Sequence, residues 1–275
     1  VKPMGNIKIS LAGDLGSGKT TVGALLAERF SAEKYSTGTI QRKIALEMGM
    51  STLELNRYME QHHEIDKMID DGLRALEGEE KNLIIDSRMA WHFVPSSFAV
   101  YMQAEPLVSA ARILAAGRAS EHFESVEEAA ASIRARRASE AARYEMLYGV
   151  NICDMENYDY VVDTTYVPPE TVAEHIAAHF EAAAAGKAFP RYALCPARLY
   201  PYGEEAGEPA FFEEDGSCFI ARGAKEIAER IRAGAPLIAL ERAEKGAGAC
   251  TAAAVRAWEE RTGVRFPALP ACAKE

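Results

Sequence analysis

GDLGSGKTT, Gly13 to Thr21, lies between a short apolar run, Asn6 to Ala12 (NIKISLA), and an amphipathic one. The run before it is β-branched and apolar, as a buried parallel strand is. The run after it, Thr21 to Phe30, reads as a helix with Val22, Leu25, Leu26 and Phe30 toward a core. Gly13, Gly16, Gly18, Lys19 and Thr20 satisfy G-x-x-x-x-G-K-[ST] in full. Strand, glycine-rich turn and helix in this order make an anion cradle. The glycines let the backbone N–H groups turn inward, and the helix adds the positive end of its dipole. The nucleotide-binding set is therefore Gly13, Gly16, Ser17, Gly18, Lys19, Thr20 and Thr21. Lys19 is placed on the β- and γ-phosphates and the Thr20 hydroxyl on Mg²⁺. A guanine-reading N-K-x-D occurs nowhere in the chain, which argues against a GTPase.

Working outward, strand-like runs recur at Leu83 to Asp86 (LIID), Phe98 to Met102 (FAVYM) and Tyr160 to Asp163 (YVVD). Helical stretches separate them: Ile40 to Met48, Ser51 to Leu76, Pro106 to Ala119 and Val126 to Tyr148. Ser51 with Glu54 and Ser125 with Glu128 are capping-box signals. Pro168 and Pro169 open a further helix that runs through Ala183. Strands alternating with helices predict an α/β fold, a parallel sheet covered on both faces. Asp86 closes an apolar strand with a carboxylate and is the second expected Mg²⁺ ligand beside Thr20.

The rhythm breaks at Ala182 to Pro190 (AAAAGKAFP). The expected organisation is a domain over 1–181, a linker over 182–190 and a small α+β domain over 191–275. In the last, Ala210 to Ala221 reads as a hairpin turning at Asp215-Gly216, followed by a helix from Ala224 to Ala233 and a strand from Pro236 to Arg242.

Composition narrows the setting. A hydrophobic share of 48% with 26% charged residues is that of a globular chain, and no apolar run is long enough to cross a bilayer. The opening residues VKPMGNIKIS lack the apolar centre of a secretory signal. Five dispersed cysteines without a CxxC pair read as reduced thiols, so a cytoplasmic location is expected. A net charge of −10 argues against a nucleic-acid surface.

Arginines mark the second half of the site. Arg42 follows Ser36-Thr37-Gly38 on the first turn of a helix. Arg88 follows Asp86 at the C-terminal edge of a strand, where open α/β sheets bind ligands. Arg136 and Arg143 lie on one helix face with Glu140 between them, while the adjacent Arg137 is expected to point elsewhere. Taken alone, RARRASEAAR fits a solvated face of ion pairs. In order with Arg42 and Arg88 it fits a clamp for an acceptor phosphate and a mobile lid.

Residues 6 to about 181 resemble the cytidylate kinase family, in its compact archaeal-type branch. The matching pieces are GDLGSGKTTV, STGTIQR, the stretch Gly49 to Glu54, DSRMA, A-E-P-L and R-x-x-S-E-x-x-R-Y-x-x-x-Y-G from Arg136 to Gly149. The resemblance implies a P-loop kinase fold with a five-stranded parallel sheet, an acceptor-binding helical region and a lid. It implies transfer of the ATP γ-phosphoryl group to CMP or dCMP. By position, Arg42 and Arg88 would hold the acceptor phosphate beside Ser36 or Thr37, and Glu140 would contact the acceptor ribose. Lys19, Arg136 and Arg143 would face the phosphoryl group in transit. Met89 stands where common bacterial members place a base-reading Asp, and Ala110 stands where an arginine is expected, with Arg112 nearby.

A phosphate acceptor is already an anion, so no side chain need remove a proton. An alcohol acceptor, as in shikimate or gluconate kinases, would call on Asp86 as base. A nucleotide-sensing regulator that binds ATP without turnover is the non-enzyme alternative. Residues 191–275 resemble ParB/sulfiredoxin-like units through Ala197 to Pro201, the hairpin, the helix and PLIALER. The G-H-[HR]-R of those units is replaced by Gly223-Ala224-Lys225-Glu226, which implies the shape without the chemistry. A small packing or dimerisation module is the role expected for it, with a homodimer as the partner it would imply.

Overall fold

The computed structural model describes residues 6–116, 123–203 and 206–273, which form two compact units. The first takes the described residues up to Thr165 together with Val172–Lys187. The second takes Tyr166–Thr171 and those from Ala188 on.

The first unit begins with β1 (Lys8–Gly13), buried along its length, and α1 (Lys19–Arg29). Val22, Gly23, Leu26 and Ala27 form the buried stripe of α1. Leu25 and Phe30, expected in that stripe, are half-buried; Phe30 meets Phe180 edge-on at 5.6 Å. Next come β2 (Glu33–Ser36) and α2 (Thr37–Glu47), whose N-cap Ser36 accepts from the Thr39 N–H.

The single helix expected over Ser51 to Leu76 is two helices, α3 (Thr52–Met59) and α4 (His63–Glu77). Both halves of the Ser51–Glu54 capping box form at the start of α3. His62 leaves helical geometry at φ −126° and ψ 73°, and its ring stacks on Tyr58 with centroids 3.8 Å apart. The bend lets Leu55 and Met59 of α3 and Ile69 of α4 share one apolar cluster. It also brings Asn56 and Asp66 to one guanidinium, as described below.

The unit continues with β3 (Leu83–Asp86), the one-turn helix α5 (Ala90–Phe93), β4 (Phe98–Gln103) and α6 (Pro106–Ala116). The last three positions expected in α6, 117–119, lie outside the described residues. Then follow α7 (Val126–Tyr148), β5 (Tyr160–Asp163) and α8 (Pro169–Ala184). Ser125 caps α7 by accepting from the Glu128 N–H at 3.1 Å, but Glu128 reaches back to the Glu124 N–H rather than to Ser125.

The strands run parallel in the order β2-β3-β1-β4-β5, with Leu11 opposite Asp86 on one side and Val100 on the other. Neighbours β3 and β4 lie on opposite sides of β1, so the crevice beyond the end of β1 is the switch point where such sheets bind ligands.

In the second unit β6 (Tyr192–Leu194), β7 (Leu199–Tyr200), β8 (Ala210–Glu214), β9 (Ser217–Arg222), α9 (Ala224–Arg232) and β10 (Ile238–Arg242) follow in turn. The hairpin of β8 and β9 turns at Asp215 and Gly216, with φ 49° and 75°, the left-handed pair of a type I′ turn. A further helix, α10 (Ala252–Thr262), is capped by Thr251 and buries Val255, Trp258 and Thr262. The sequence reading does not contain it.

Candidate active site

Gly13 ends β1 at φ 135°, and a Cβ there would stand 2.1 Å from the Met102 carbonyl oxygen. Only glycine lets the turn leave the sheet this close to β4. At the other end Gly18 N-caps α1 at φ 87°. Lys19 folds back over the turn, and its Nζ donates to the carbonyls of Gly13 at 3.0 Å and Asp14 at 2.6 Å. Burial pushes the Lys19 ammonium down to about 8, partly offset by the carboxylates of Asp86, Asp14 and Glu140, while Arg88 pushes it down further. An ammonium so poorly compensated is poised to gain from an anion. Ser17 is buried in the turn, and Thr20 and Thr21 stand exposed on the first turn of α1.

Across the crevice Asp86 closes β3. Ser36 Oγ donates to its Oδ2 and Thr37 Oγ1 to its carbonyl, both at 3.4 Å. Arg42 donates to Thr39 Oγ1 at 3.0 Å. Glu140, 1% exposed, ties two arginines together: its Oε1 takes Nε of Arg136 at 2.9 Å and its Oε2 pairs with Arg88. Burial works against the charge of Glu140, yet Arg88 and Arg136 hold its carboxyl below the usual range. Lys19 feels both Arg88 and Glu140, so this cluster and the P-loop share one electrostatic field.

Two arginines of α7 depart from the sequence reading. Arg143, expected to face the phosphates with Arg136, donates instead to Asp66 Oδ1 at 3.2 Å, Asn56 O at 3.1 Å and Asn56 Oδ1 at 3.3 Å. Seven residues of helix span roughly 10 Å, so a shared face still meets different neighbours at its two ends. Arg136 and Glu140 meet Arg88 beyond β3, whereas Arg143 meets α3 and α4. Arg137, expected to point elsewhere, reaches the P-loop and pairs with Asp14. Its long side chain covers the distance that helix rotation alone suggests it cannot.

Two further positions resolve. Met89 is 1% exposed and packs in the apolar cluster of Leu73, Leu83 and Tyr144. Ala110 is buried against Ala129 and Ala130 of α7, and Arg112 donates to the carbonyls of Gly16, Thr164 and Thr165 at 3.4, 2.7 and 2.8 Å. The sequence alone does not single out Asp14, Asn56 or Asp66. Asp14 occupies a variable place in the P-loop signature, and the partners of Asn56 and Asp66 are set by tertiary packing.

No helix among the described residues is long and apolar enough to cross a membrane. An AAA domain family matches residues 9–132. The chain is similar to the cytidylate kinase of Methanothrix thermoacetophila, 36% identical over 156 residues that cover 57% of this chain and 87% of that one. It is also similar to the cytidylate kinase of Sulfolobus acidocaldarius, 35% identical over 172 residues, covering 62% and 92%.

Proposed function

The chain belongs to the cytidylate kinase family, and we propose that it transfers the γ-phosphoryl group of ATP to the 5′-phosphate of CMP or dCMP. Its reaction class is that of a nucleoside monophosphate kinase. The observation that carries the acceptor side is the buried bridge of Arg88 and Arg136 on Glu140, within the field of Lys19. Two guanidiniums on one carboxylate keep a net positive charge, which suits a phosphate dianion better than a neutral alcohol.

In this reading ATP lies with its phosphates in the turn from Gly13 to Thr21. An oxygen of the acceptor phosphate attacks Pγ, the bond from Pγ to the β-bridging oxygen breaks, and ADP leaves. The attacking oxygen carries no proton, so positioning and charge neutralisation account for the acceleration. Lys19 neutralises the migrating group, and Arg136 helps to neutralise it from the acceptor side. Arg88, with Arg42, Ser36 and Thr37 beside it, holds the acceptor phosphate, and the bound carboxylate of Glu140 fixes both Arg88 and Arg136. Thr20 and Asp86 offer a hydroxyl and a carboxylate flanking the turn, hard oxygen donors that fit Mg²⁺. Mg²⁺ bound there would screen the β- and γ-phosphates. Arg143 braces α7 against α3 and α4 through Asn56 and Asp66 in place of contacting the phosphates. The reading carries with it a cytoplasmic setting, where ATP and pyrimidine monophosphates meet.

Arg88→Ala tests the assignment. It is expected to lower kcat/KM for CMP by about a hundredfold, with the Kd for ATP within about threefold of the parent. An equal loss of ATP affinity would remove Arg88 from the acceptor site.

A further inference from the structure

The helix α7 presents to the P-loop a cation other than the two that its sequence singles out. Arg136 and Arg143 are 5% and 2% exposed and are committed to carboxylates. Arg137 keeps 42% of its side chain exposed, and its guanidinium rests on Oδ1 of Asp14. Asp14 is the second residue of the phosphate turn itself. Its carboxylate is pinned from beneath, with Tyr101 OH donating to Oδ1 and the Ala104 N–H to Oδ2, each at 2.9 Å. Its carbonyl accepts from Lys19 Nζ at 2.6 Å. The Arg137 guanidinium also sits 6.0 Å from the centre of the Tyr101 ring. A loop shaped to bind an anion thus carries a fixed anion of its own, and the exposed arginine of α7 lies on it.

We propose that Asp14 is a built-in stand-in for the terminal phosphates of ATP, holding Arg137 at the P-loop until ATP arrives and then yielding it to them. The inference rests on the reading that ATP occupies this turn. A triphosphate carries more charge than a carboxylate and grips a guanidinium in two parallel hydrogen bonds, so the exchange runs toward the nucleotide. Asp14 cannot follow Arg137, because Tyr101 and Ala104 keep it in place. Breaking the Asp14–Arg137 pair takes up part of the binding free energy, and this competition lowers the affinity that an unheld Arg137 would give. The gain is order: α7 is docked on the loop, and Arg137 needs only a short movement to reach the phosphates. Asp14 is a positioning residue, and Arg137 is the group it positions.

The test is a double-mutant cycle on ATP affinity in the full chain, with Asp14→Asn, Arg137→Ala and their combination. Arg137→Ala should weaken ATP about tenfold, and Asp14→Asn should tighten it about fivefold. In the Arg137→Ala background the same Asp14→Asn change should move affinity less than about twofold. An equal gain in both backgrounds would mean that Asp14 acts only as a nearby charge, and a loss in both would mean a structural brace; either overturns the proposal. Should Asp14→Asn not fold, the parent chain decides through the ¹⁵N resonance of Arg137 Nε. It should shift on adding a non-hydrolysable ATP analogue but not on adding CMP, and an unmoved resonance overturns the proposal. A parent chain that binds no ATP overturns the nucleotide reading as well, which separates the two failures.

Discussion

Arg143 places its Nε 3.2 Å from Oδ1 of Asp66, with the two side chains 0% and 3% exposed. A buried pair of this kind fastens α7 to α4, and through Asn56 to α3, so that the acceptor side is braced by the same helix that supplies Arg136 and Glu140. Burial and the neighbouring Asp70 push the Asp66 carboxyl up to about 6, and Arg143 is what opposes them most.

A pH-dependent stability follows for Asp66. Its folded value of about 6 lies above its ordinary 3.8, so the folded chain holds the extra proton between those values. The stability from this group is fully present below the lower value and is lost as pH rises through the higher one, by up to about 3 kcal/mol. Asp66→Asn lacks this slope. Urea unfolding at pH 4.5 and pH 7 should show the parent losing ground relative to the variant as pH rises, and parallel profiles would contradict the assignment.

Glu140 has the opposite sign. Its carboxyl is held below the ordinary 4.5 against the cost of burial, chiefly by Arg88. Its stabilisation is present above that value and is lost as pH falls through the folded value. Glu140→Gln leaves Arg88 and Arg136 without their shared carboxylate, which should cost about 3 kcal/mol at pH 7. The deficit should shrink in acid, where the parent also loses its charge. A variant as stable as the parent at pH 7 would mean that the bridge contributes nothing.

Lys19 makes ATP binding a proton-linked event. With the ammonium pushed down to about 8 in the free chain, part of the population is neutral at that pH. The phosphates should restore the charge, taking up about half a proton at pH 8 and almost none at pH 6. Calorimetry of ATP binding in two buffers of different ionisation enthalpy measures this uptake. Zero uptake at pH 8 would contradict the account of Lys19.

Gly13 and Gly18 should respond differently to alanine although both have positive φ. At Gly18 nothing lies within 4 Å of an added Cβ, so Gly18→Ala should cost only the left-handed strain, about 1–2 kcal/mol. At Gly13 the Cβ would meet the Met102 carbonyl at 2.1 Å, and β1 and β4 must part to admit it. Thermal melting should show a several-fold larger loss for Gly13→Ala. Equal losses would mean that the strand end is not packed as described.

Much of this site was legible because its constraints are local. The P-loop needs particular residues at adjacent places, and the Arg136–Glu140 pair needs only the pitch of a helix. Ser51 and Glu54 announced the start of α3 in the same way. The break at His62 was not legible, since nothing in Gln61-His62-His63 forbids a helix. It follows from packing Leu55 and Ile69 into one cluster. Asp66 and Asn56 were missed for the same reason: their partner Arg143 lies 77 and 87 residues away. Face arguments misplace Arg137 because they locate a Cβ, whereas an arginine head group lies several bonds beyond it. The helix α10 did carry a signal, with Val255, Trp258 and Thr262 spaced on one side, but three leading alanines blurred where it begins.

The most direct test of the central claim is transfer itself. Purified chain with Mg²⁺-ATP should be followed by ³¹P NMR across CMP, dCMP, UMP, AMP, GMP, shikimate and gluconate. The account predicts ADP together with a new nucleoside diphosphate, fastest with CMP or dCMP. Transfer to shikimate or gluconate alone, or bound ATP with no product on any monophosphate, would contradict it.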